Sequence, residues 1–265
     1  GEKNTHEAEC LPLLEASVIQ WQWKEDVFPE CDQFNGIHEG LVQSWKDIFP
    51  KKGEIHFAGA LENNEDTGTL QYLASTAMEA GFSTRVLDMQ ALDLQNGRFF
   101  DPAGELVNRC FKLYPWEWMV DESPDGCLAE MEWLEPIWKL VMSNKAILAT
   151  LYELFPDSPY VLPCYLSRPR SGLFCKKPVF SREGHNVSVV DIRDWEEYVR
   201  IAETEGDYNT GAYVYQEYVE PTAYSGRYPV IGSWIIGGEA AGIGIRENRM
   251  EVTDNLSEFV PHIIG

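Results

Sequence analysis

Positive charge is scarce in this sequence: 21 Lys and Arg stand against 43 Asp and Glu, a formal net charge of −22. A field of that sign repels phosphate backbones and anionic lipid, which argues against nucleic acid and membrane surfaces as partners. A cationic molecule such as a polyamine would suit it, although acidic surfaces also serve solubility. No apolar run approaches the ~20 residues of a membrane-spanning helix, and the opening GEKNTHEAEC has neither the apolar stretch nor the cleavage site of a secretory signal. The six cysteines form no C-x-x-C pair. Neither a zinc site nor a dense disulfide framework is therefore expected, and the thiols read as reduced in a cytoplasmic protein. Common catalytic signatures are missing as well. There is no G-x-x-x-x-G-K-[ST] loop and no G-x-S-x-G elbow, GIGIRE lacks the third glycine of a dinucleotide fingerprint, and HEGLV lacks the second His of a zincin helix. Cys31 and His38 could be written as nucleophile and base, but two polar positions at a helix start are the simpler reading.

Core-forming residues are plentiful. Of 265 residues 44% are hydrophobic, and nine are Trp, enough for two modest domains. LLEASVIQWQW reads as a helix from Leu13, and QFNGIHEGLVQSWKDIF places Phe34, Ile37, Leu41, Val42, Trp45 and Ile48 on one helical face. GEIHFAGA is a short apolar strand, NNEDTG a polar loop, TLQYLASTAMEAG a helix ending at Gly81, and STRVLDM a second strand. That order predicts the βαβ unit of an open parallel sheet. Asn96-Gly97 marks a hairpin, VNRCFKLYPW a further strand, and the Trp-rich EWMVDESPDGCLAEMEWLEPIW reads as core rather than a stacking platform.

From Ser143 the texture changes to a helix, SNKAILATLYELF, followed by antiparallel strand signals at LFCKKPVF, NVSVVDI, AYVYQEYVE, RYPVIGSWII and, after Gly237-Gly238, EAAGIGIRE. The expected division is an unmatched tail at 1–12, an α/β domain at 13–136 and a second domain at 137–265. KKPVFSREGHNV has the makeup of a phosphate cover, a strand-borne lysine followed by a glycine-containing hairpin whose N–H groups can approach anionic oxygens. An ordinary basic hairpin would look the same. Lys145 could add a second ammonium, AYVYQEYVE a hinge for an adenine edge, and GIGIRE delivers Arg246 after two glycines. Together these outline a nucleotide cleft.

SNKAIL, KKPVFSREGHNV, YVYQEYVE, GSWII, AAGIGIRE and VTDNLSEFVPHII, with LLEASVIQWQW, DQFNGIHEGL and FKLYPWEWM upstream, are similar to the glutathionylspermidine synthase family. The resemblance runs from about Leu13 to the C-terminus. It implies an α/β (α+β) chain with an ATP-grasp fold and a preceding Rossmann-like part. The implied activity is ATP- and Mg²⁺-dependent ligation of a small-molecule acid to an amine, glutathione and spermidine in the characterised synthetases. By position it assigns Lys145 and Lys177 to the nucleotide phosphates, with Lys176 as rival to Lys177. Ser181, Arg182, Glu183, Gly184 and Asn186 fall in a phosphate-covering loop, and Gln216, Glu217 and Val219 at the adenine hinge. Arg246 matches the arginine that meets the γ-phosphate and the acyl phosphate, and Glu39, Glu65, Asp66 and Thr69 fall where substrate contacts are expected. One departure stands out. The family draws its magnesium ligands from an R-F-D and E-Y-N-A-D-like hairpin ahead of the LLEA helix, where this sequence has GEKNTHEAECLP. Either the chain is a piece of a longer protein or the metal site is lost; Asn255 and Glu247 could offer a substitute oxygen ligand, although a surface strand end is the simpler reading. The alternative to a ligase is an inactive nucleotide- or ligand-binding protein of the same fold, and a transferase is a third class.

Overall fold

The computed structural model of the protein describes residues 12–182, 184–194, 197–206, 208, 211–249 and 257–265. They fall into two compact units. One holds the chain up to Ile137 together with Val230–Arg246 and Glu258–Gly265, and the other holds Trp138–Pro229 and Glu247–Ser257.

In the first unit, α1 (Pro12–Leu14) runs through a π-helical stretch, Glu15–Ile19, into α2 (Gln20–Val27). Ser17 Oγ donates to Leu13 O at 2.6 Å, a back-bond of the kind that accompanies bent helices. In α3 (Ile37–Ile48) the residues Ile37, Leu41, Val42 and Trp45 form the buried stripe. Phe34 and Ile48, expected on the same face, are largely exposed: Phe34 precedes the helix and Ile48 ends it. After the buried strand β1 (Glu54–Gly59), α4 (Asn64–Glu79) begins inside NNEDTG, the sequence read above as a loop. The reason is local. Asn63 Oδ1 accepts from Glu65 N at 2.8 Å, and Glu65 and Asp66 set carboxylates against the positive helix end.

Gly81, at φ 95°, turns the chain into β2 (Ser83–Asp88), which runs parallel to β1. Strands β3 (Asp93–Gln95), β4 (Arg98–Phe100) and β5 (Leu106–Val107) form a small antiparallel sheet. Its first turn is Asn96-Gly97, both with positive φ as a tight hairpin requires. Next, β6 (Arg109–Leu113) returns beside β1. After α5 (Trp116–Glu122) and α6 (Pro124–Cys127), β7 (Glu132–Leu134) completes a parallel sheet of order β2-β1-β6-β7. The Trp-rich segment divides: Trp116 is buried and meets Trp133 edge-on at 5.6 Å, whereas Trp118 and Trp138 lie exposed.

Trp45, Phe57 and Phe111 meet at the centre of this unit, and Trp45 Nε1 donates to the buried Thr76 Oγ1 at 2.8 Å, tying α3 to α4. Beneath β1 lies a second polar feature. His56 is only 1% exposed, with Glu54 and Asp101 oxygens 3.7 and 3.8 Å from Nε2 and no hydrogen bond to either ring nitrogen. Burial pulls its pKa below 6.5 even though both carboxylates oppose the shift.

The second unit opens with α7 (Leu140–Ser143) and α8 (Ala146–Leu154). Its antiparallel sheet of order β11-β10-β9-β12-β8 is built from β8 (Cys164–Tyr165), β9 (Gly172–Pro178), β10 (Ser188–Ile192), β11 (Tyr198–Glu203) and β12 (Tyr213–Glu217). Ala149 of α8 packs with Cys164 and Val214 on one face of that sheet. Strands β13 (Tyr228–Ile236), β14 (Glu239–Asn248) and β15 (Glu258–Val260) make a further sheet of three strands. Through them the chain re-enters the first unit, so that unit is discontinuous in sequence: Gly36 N donates to Ala241 O at 2.7 Å, Gln20 Nε2 to Ile243 O at 3.0 Å, and Ala241 joins the core. A division of the chain into consecutive segments contains no such return. Among the described residues no helix is long and apolar enough to cross a membrane.

Candidate functional site

Strand alternation builds the main site. Along β9 successive side chains point to opposite faces, so Cys175 and Lys177 share one and Lys176 takes the other. Lys177 opens into a cleft of about 450 Å³ in the second unit. Lys145, Ser181, Arg182, Gly184, Gln216, Glu217 and Val219 line the same cleft, so eight of the positions singled out in the sequence converge there. Lys176 faces away, 3.9 Å above the ring of Tyr213.

The cleft is held by short polar contacts. Lys145 opens α8, where Asn144 Oδ1 caps Ala146 N at 2.9 Å. From there Lys145 Nζ reaches the loop that follows β9 and donates to Ser181 Oγ at 2.9 Å as well as to Ser181 O. Lys177 Nζ donates to Gln216 Oε1 at 2.7 Å across the β9–β12 pair. Among the described residues, three cations, Lys145, Lys177 and Arg182, thus line the cleft beside one carboxylate, Glu217, in a strongly acidic chain. At the strand end, Glu217 N and Tyr218 N are taken by Pro163 O and Leu173 O. Burial raises the thiol pKa of Cys175, and the Lys177 charge offsets part of that rise.

Asn186, expected in the covering loop, does not line the cleft. At φ 54° its side chain accepts from Tyr208 N and donates to Gly206 O, both at 2.8 Å, and so anchors the turn. Glu183 and Asn255 lie outside the described residues. Leu162, Cys175, Val187, Tyr218 and Pro221 complete the lining and were not anticipated. Of these, Cys175 was within reach of sequence reasoning, two residues before Lys177 on the same strand face.

The remaining expected positions belong to the first unit. Arg246 lies on β14, where its guanidinium pairs with Glu15 Oε2. Glu39 lines a cavity of about 270 Å³ with Ser17, Val18, Trp21, Asn35 and His38, while Glu65, Asp66 and Thr69 sit on the opening turns of α4 and do not line it. The His38 nitrogens are engaged by Tyr72 Oη and Glu79 Oε2, each at 3.0 Å, which accounts for this histidine without any reference to Cys31. Burial holds the Tyr72 phenol above its ordinary pKa.

Magnesium is the group the fold implies, and among the described residues no three His, Cys, Asp or Glu side chains converge in a way that could hold a metal. Glu247 has Arg227 at 3.9 Å instead. The described residues hold no such cluster, and the roles assigned here are those of the chain's own side chains.

A parallel α/β sheet flanked by helices, with a separate antiparallel sheet whose lysines line a cleft, defines an ATP-grasp-type fold preceded by a Rossmann-like part. The chain belongs to the glutathionylspermidine synthase preATP-grasp family, whose sequence model matches residues 10–265. A Haemophilus influenzae protein named "Putative acid--amine ligase" is 36% identical over 264 residues, covering 94% of this chain and 67% of that protein. Trypanothione synthetase of Crithidia fasciculata is 27% identical, covering 96% of this chain and 44% of its own length. The bifunctional glutathionylspermidine synthetase/amidase of Escherichia coli is 25% identical, covering 99% and 46%. The chain thus spans less than half the length of these last two relatives. Among solved structures, the γ-glutamylcysteine synthetase-like protein of Methylobacillus flagellatus superimposes with a TM-score of 0.51 at 8% identity over 86% of this chain and 72% of its own, a likeness of fold alone.

Proposed function

We propose that the chain carries the nucleotide site of an ATP-dependent carboxylate–amine ligase that forms an amide through an acyl phosphate. The observation that carries this reading is the convergence of Lys145, Lys177, Ser181, Arg182, Gly184, Gln216, Glu217 and Val219 on one cleft of about 450 Å³, a volume within the range of small-molecule sites. Ligases named for such joining reactions are among the chain's relatives.

In this reading the three cations bind and orient the ATP phosphates and stabilise charge on the transferring phosphoryl group. Ser181 and Gly184 cover them. The adenine edge meets the Gln216–Val219 segment, where the N–H of Val219 has no partner among the described residues. The substrate carboxylate takes the γ-phosphoryl group and ADP leaves. The amine then attacks the acyl carbon, the carbon–oxygen bond to phosphate breaks, and the amine proton passes to solvent. Arg246 is assigned to the acyl phosphate. Magnesium, where bound, would neutralise phosphate charge in the same reaction. Glutathione as acid and a polyamine as amine are the substrates we assign by kinship, in a cytoplasmic setting; Glu39, Glu65, Asp66 and Thr69 would contact them, and the chain's negative field suits the amine.

Calorimetric titration of the chain with ATP, alone and with Mg²⁺, tests the cleft. Lys177→Met removes one charge-assisted contact of about 1.5–3 kcal/mol and should weaken ATP about 10- to 150-fold. Unchanged affinity would remove the phosphate role of that strand. In a version of the protein that turns over, Arg246→Ala should leave ATP binding in place and suppress ADP formation. ATP binding without ADP formation in every version would point instead to a binding protein of the same fold.

A further inference from the structure

The other face of the second unit's sheet carries a feature that the ligase reading does not use. There a cavity of about 100 Å³ is lined by Arg168, Lys176, Val190, Ile192, Tyr198 and Tyr215. Strand alternation keeps it apart from the nucleotide cleft, since Lys176 and Lys177 leave β9 on opposite sides.

We infer that this cavity is a binding site for a phosphate-sized oxyanion, held between the Arg168 guanidinium and the Lys176 ammonium with the Tyr215 hydroxyl as a further donor. The two cations are the first argument. In a chain with twice as many carboxylates as basic groups, Arg85, Arg98, Arg109, Arg193 and Arg200 each sit against an Asp or Glu. Arg168 and Lys176 have no carboxylate within ion-pair distance among the described residues. Arg168 gives Nη2 to Asp194 O at 2.9 Å and lies 4.9 Å over the Tyr198 ring, and its Nε is buried with no hydrogen-bond partner. Lys176 lies over Tyr213. These stacked arrangements fix the side chains while leaving donors uncommitted, as a preorganised anion site requires.

The floor is the second argument. Phe174, Val190 and Ile192 form a buried apolar cluster with Tyr215 packed on it, and weak screening beside such a floor strengthens attraction for an anion. Burial also raises the Tyr215 pKa, which keeps its hydroxyl protonated and able to donate. Size is the third. A cavity of about 100 Å³ takes a tetrahedral oxyanion and excludes a nucleotide, so any larger bearer of the group must leave its remainder outside.

The test uses the whole chain at pH 7.5 and constant ionic strength, titrated with inorganic phosphate and, separately, methyl phosphate, with ³¹P line broadening as the readout and chloride as reference. Binding near about 1 mM is expected for a small, partly open anion site. Arg168→Gln and Lys176→Gln should each weaken it at least about fivefold, and Lys176→Arg should retain it. Circular dichroism confirms that the variants fold. Equal binding of both probes supports a phosphoryl group carried on a larger molecule, and preference for inorganic phosphate supports the free ion. Binding that is lost in Lys177→Met but kept in Arg168→Gln would assign the anion to the nucleotide cleft and overturn the inference. So would the absence of phosphate-specific broadening up to about 20 mM, some twenty times the expected dissociation constant.

Discussion

Replacing Thr76 with Val tests how the two helices of the first unit are locked together. The hydroxyl is fully buried and accepts the Trp45 indole N–H at 2.8 Å while donating to Leu73 O at 2.8 Å. Valine fills nearly the same volume, so the cavity contribution is small. What changes is that the indole N–H loses its acceptor, in a residue only 4% exposed. An unsatisfied buried donor costs about 1–3 kcal/mol. Thr76→Ser keeps the oxygen and loses one methyl group, costing about 1 kcal/mol. Trp45→Phe removes the donor along with part of the ring that meets Phe57 and Phe111. Because Trp45→Phe removes the donor that Thr76→Val alone would leave orphaned, the double variant should cost about 1 kcal/mol less than the sum. The assay is native-state hydrogen exchange on peptides spanning β1, which reports this unit rather than the whole chain. A loss of about 2 kcal/mol lowers protection about 30-fold. Thr76→Val within twofold of the parent, with Thr76→Ser clearly weaker, would show that volume and not the hydrogen bond holds α3 on α4.

Three further outcomes follow from the same structure. His56 has a pKa held below 6.5, so on acidification the unfolded chain takes up a proton before the native state does. Stability should therefore fall as pH drops from 6.5, at up to about 1.4 kcal/mol per pH unit. His56→Gln should flatten thermal midpoints measured between pH 7.5 and 5.5, and an unchanged slope would transfer the effect to other groups. The Cys110 thiol is buried and pushed up to about 12, so iodoacetamide at pH 8 should label it only after unfolding, as peptide mapping would show. Gly59→Ala would bring a Cβ to 2.9 Å from Leu70 Cδ1 and 3.0 Å from the Leu113 carbonyl oxygen. The carbonyl belongs to a central strand, so a loss of about 1–3 kcal/mol in urea denaturation is expected, and a neutral result would mean that β1 and β6 shift apart easily.

Much of the fold is legible because its signals are local. The buried run of β1, the stripe from Ile37 to Trp45 and the Asn96-Gly97 turn each follow from periodicity or turn chemistry within a few residues. The start of α4 was open to the same reasoning, since an asparagine cap followed by two acidic residues is a helix-start signal, but the polar composition of NNEDTG suggested a loop. Partner choice is different in kind. Nothing near His38 announces Tyr72 and Glu79, which lie 34 and 41 residues away, and nothing in GIGIRE announces that Arg246 meets Glu15. In the candidate cleft, period-2 reasoning on β9 separates Lys177 from Lys176. Position in a loop, however, does not tell a cleft-lining residue such as Ser181 from a turn anchor such as Asn186.

The return of β14 into the first unit bears on how the protein is made. A chain emerging from the ribosome exposes the apolar faces around Ala16 and Ile37 long before Ala241 and Gly242 arrive to cover them. Contacts spanning more than 200 residues carry a high loop-closure cost and form late. Synthesis therefore passes through a nascent stage in which the first unit lacks its closing strand and is open to chaperones and proteases. A proteolytic nick between Val230 and Arg246, or a stall before that stretch, would be felt as unfolding at the opposite end of the sequence.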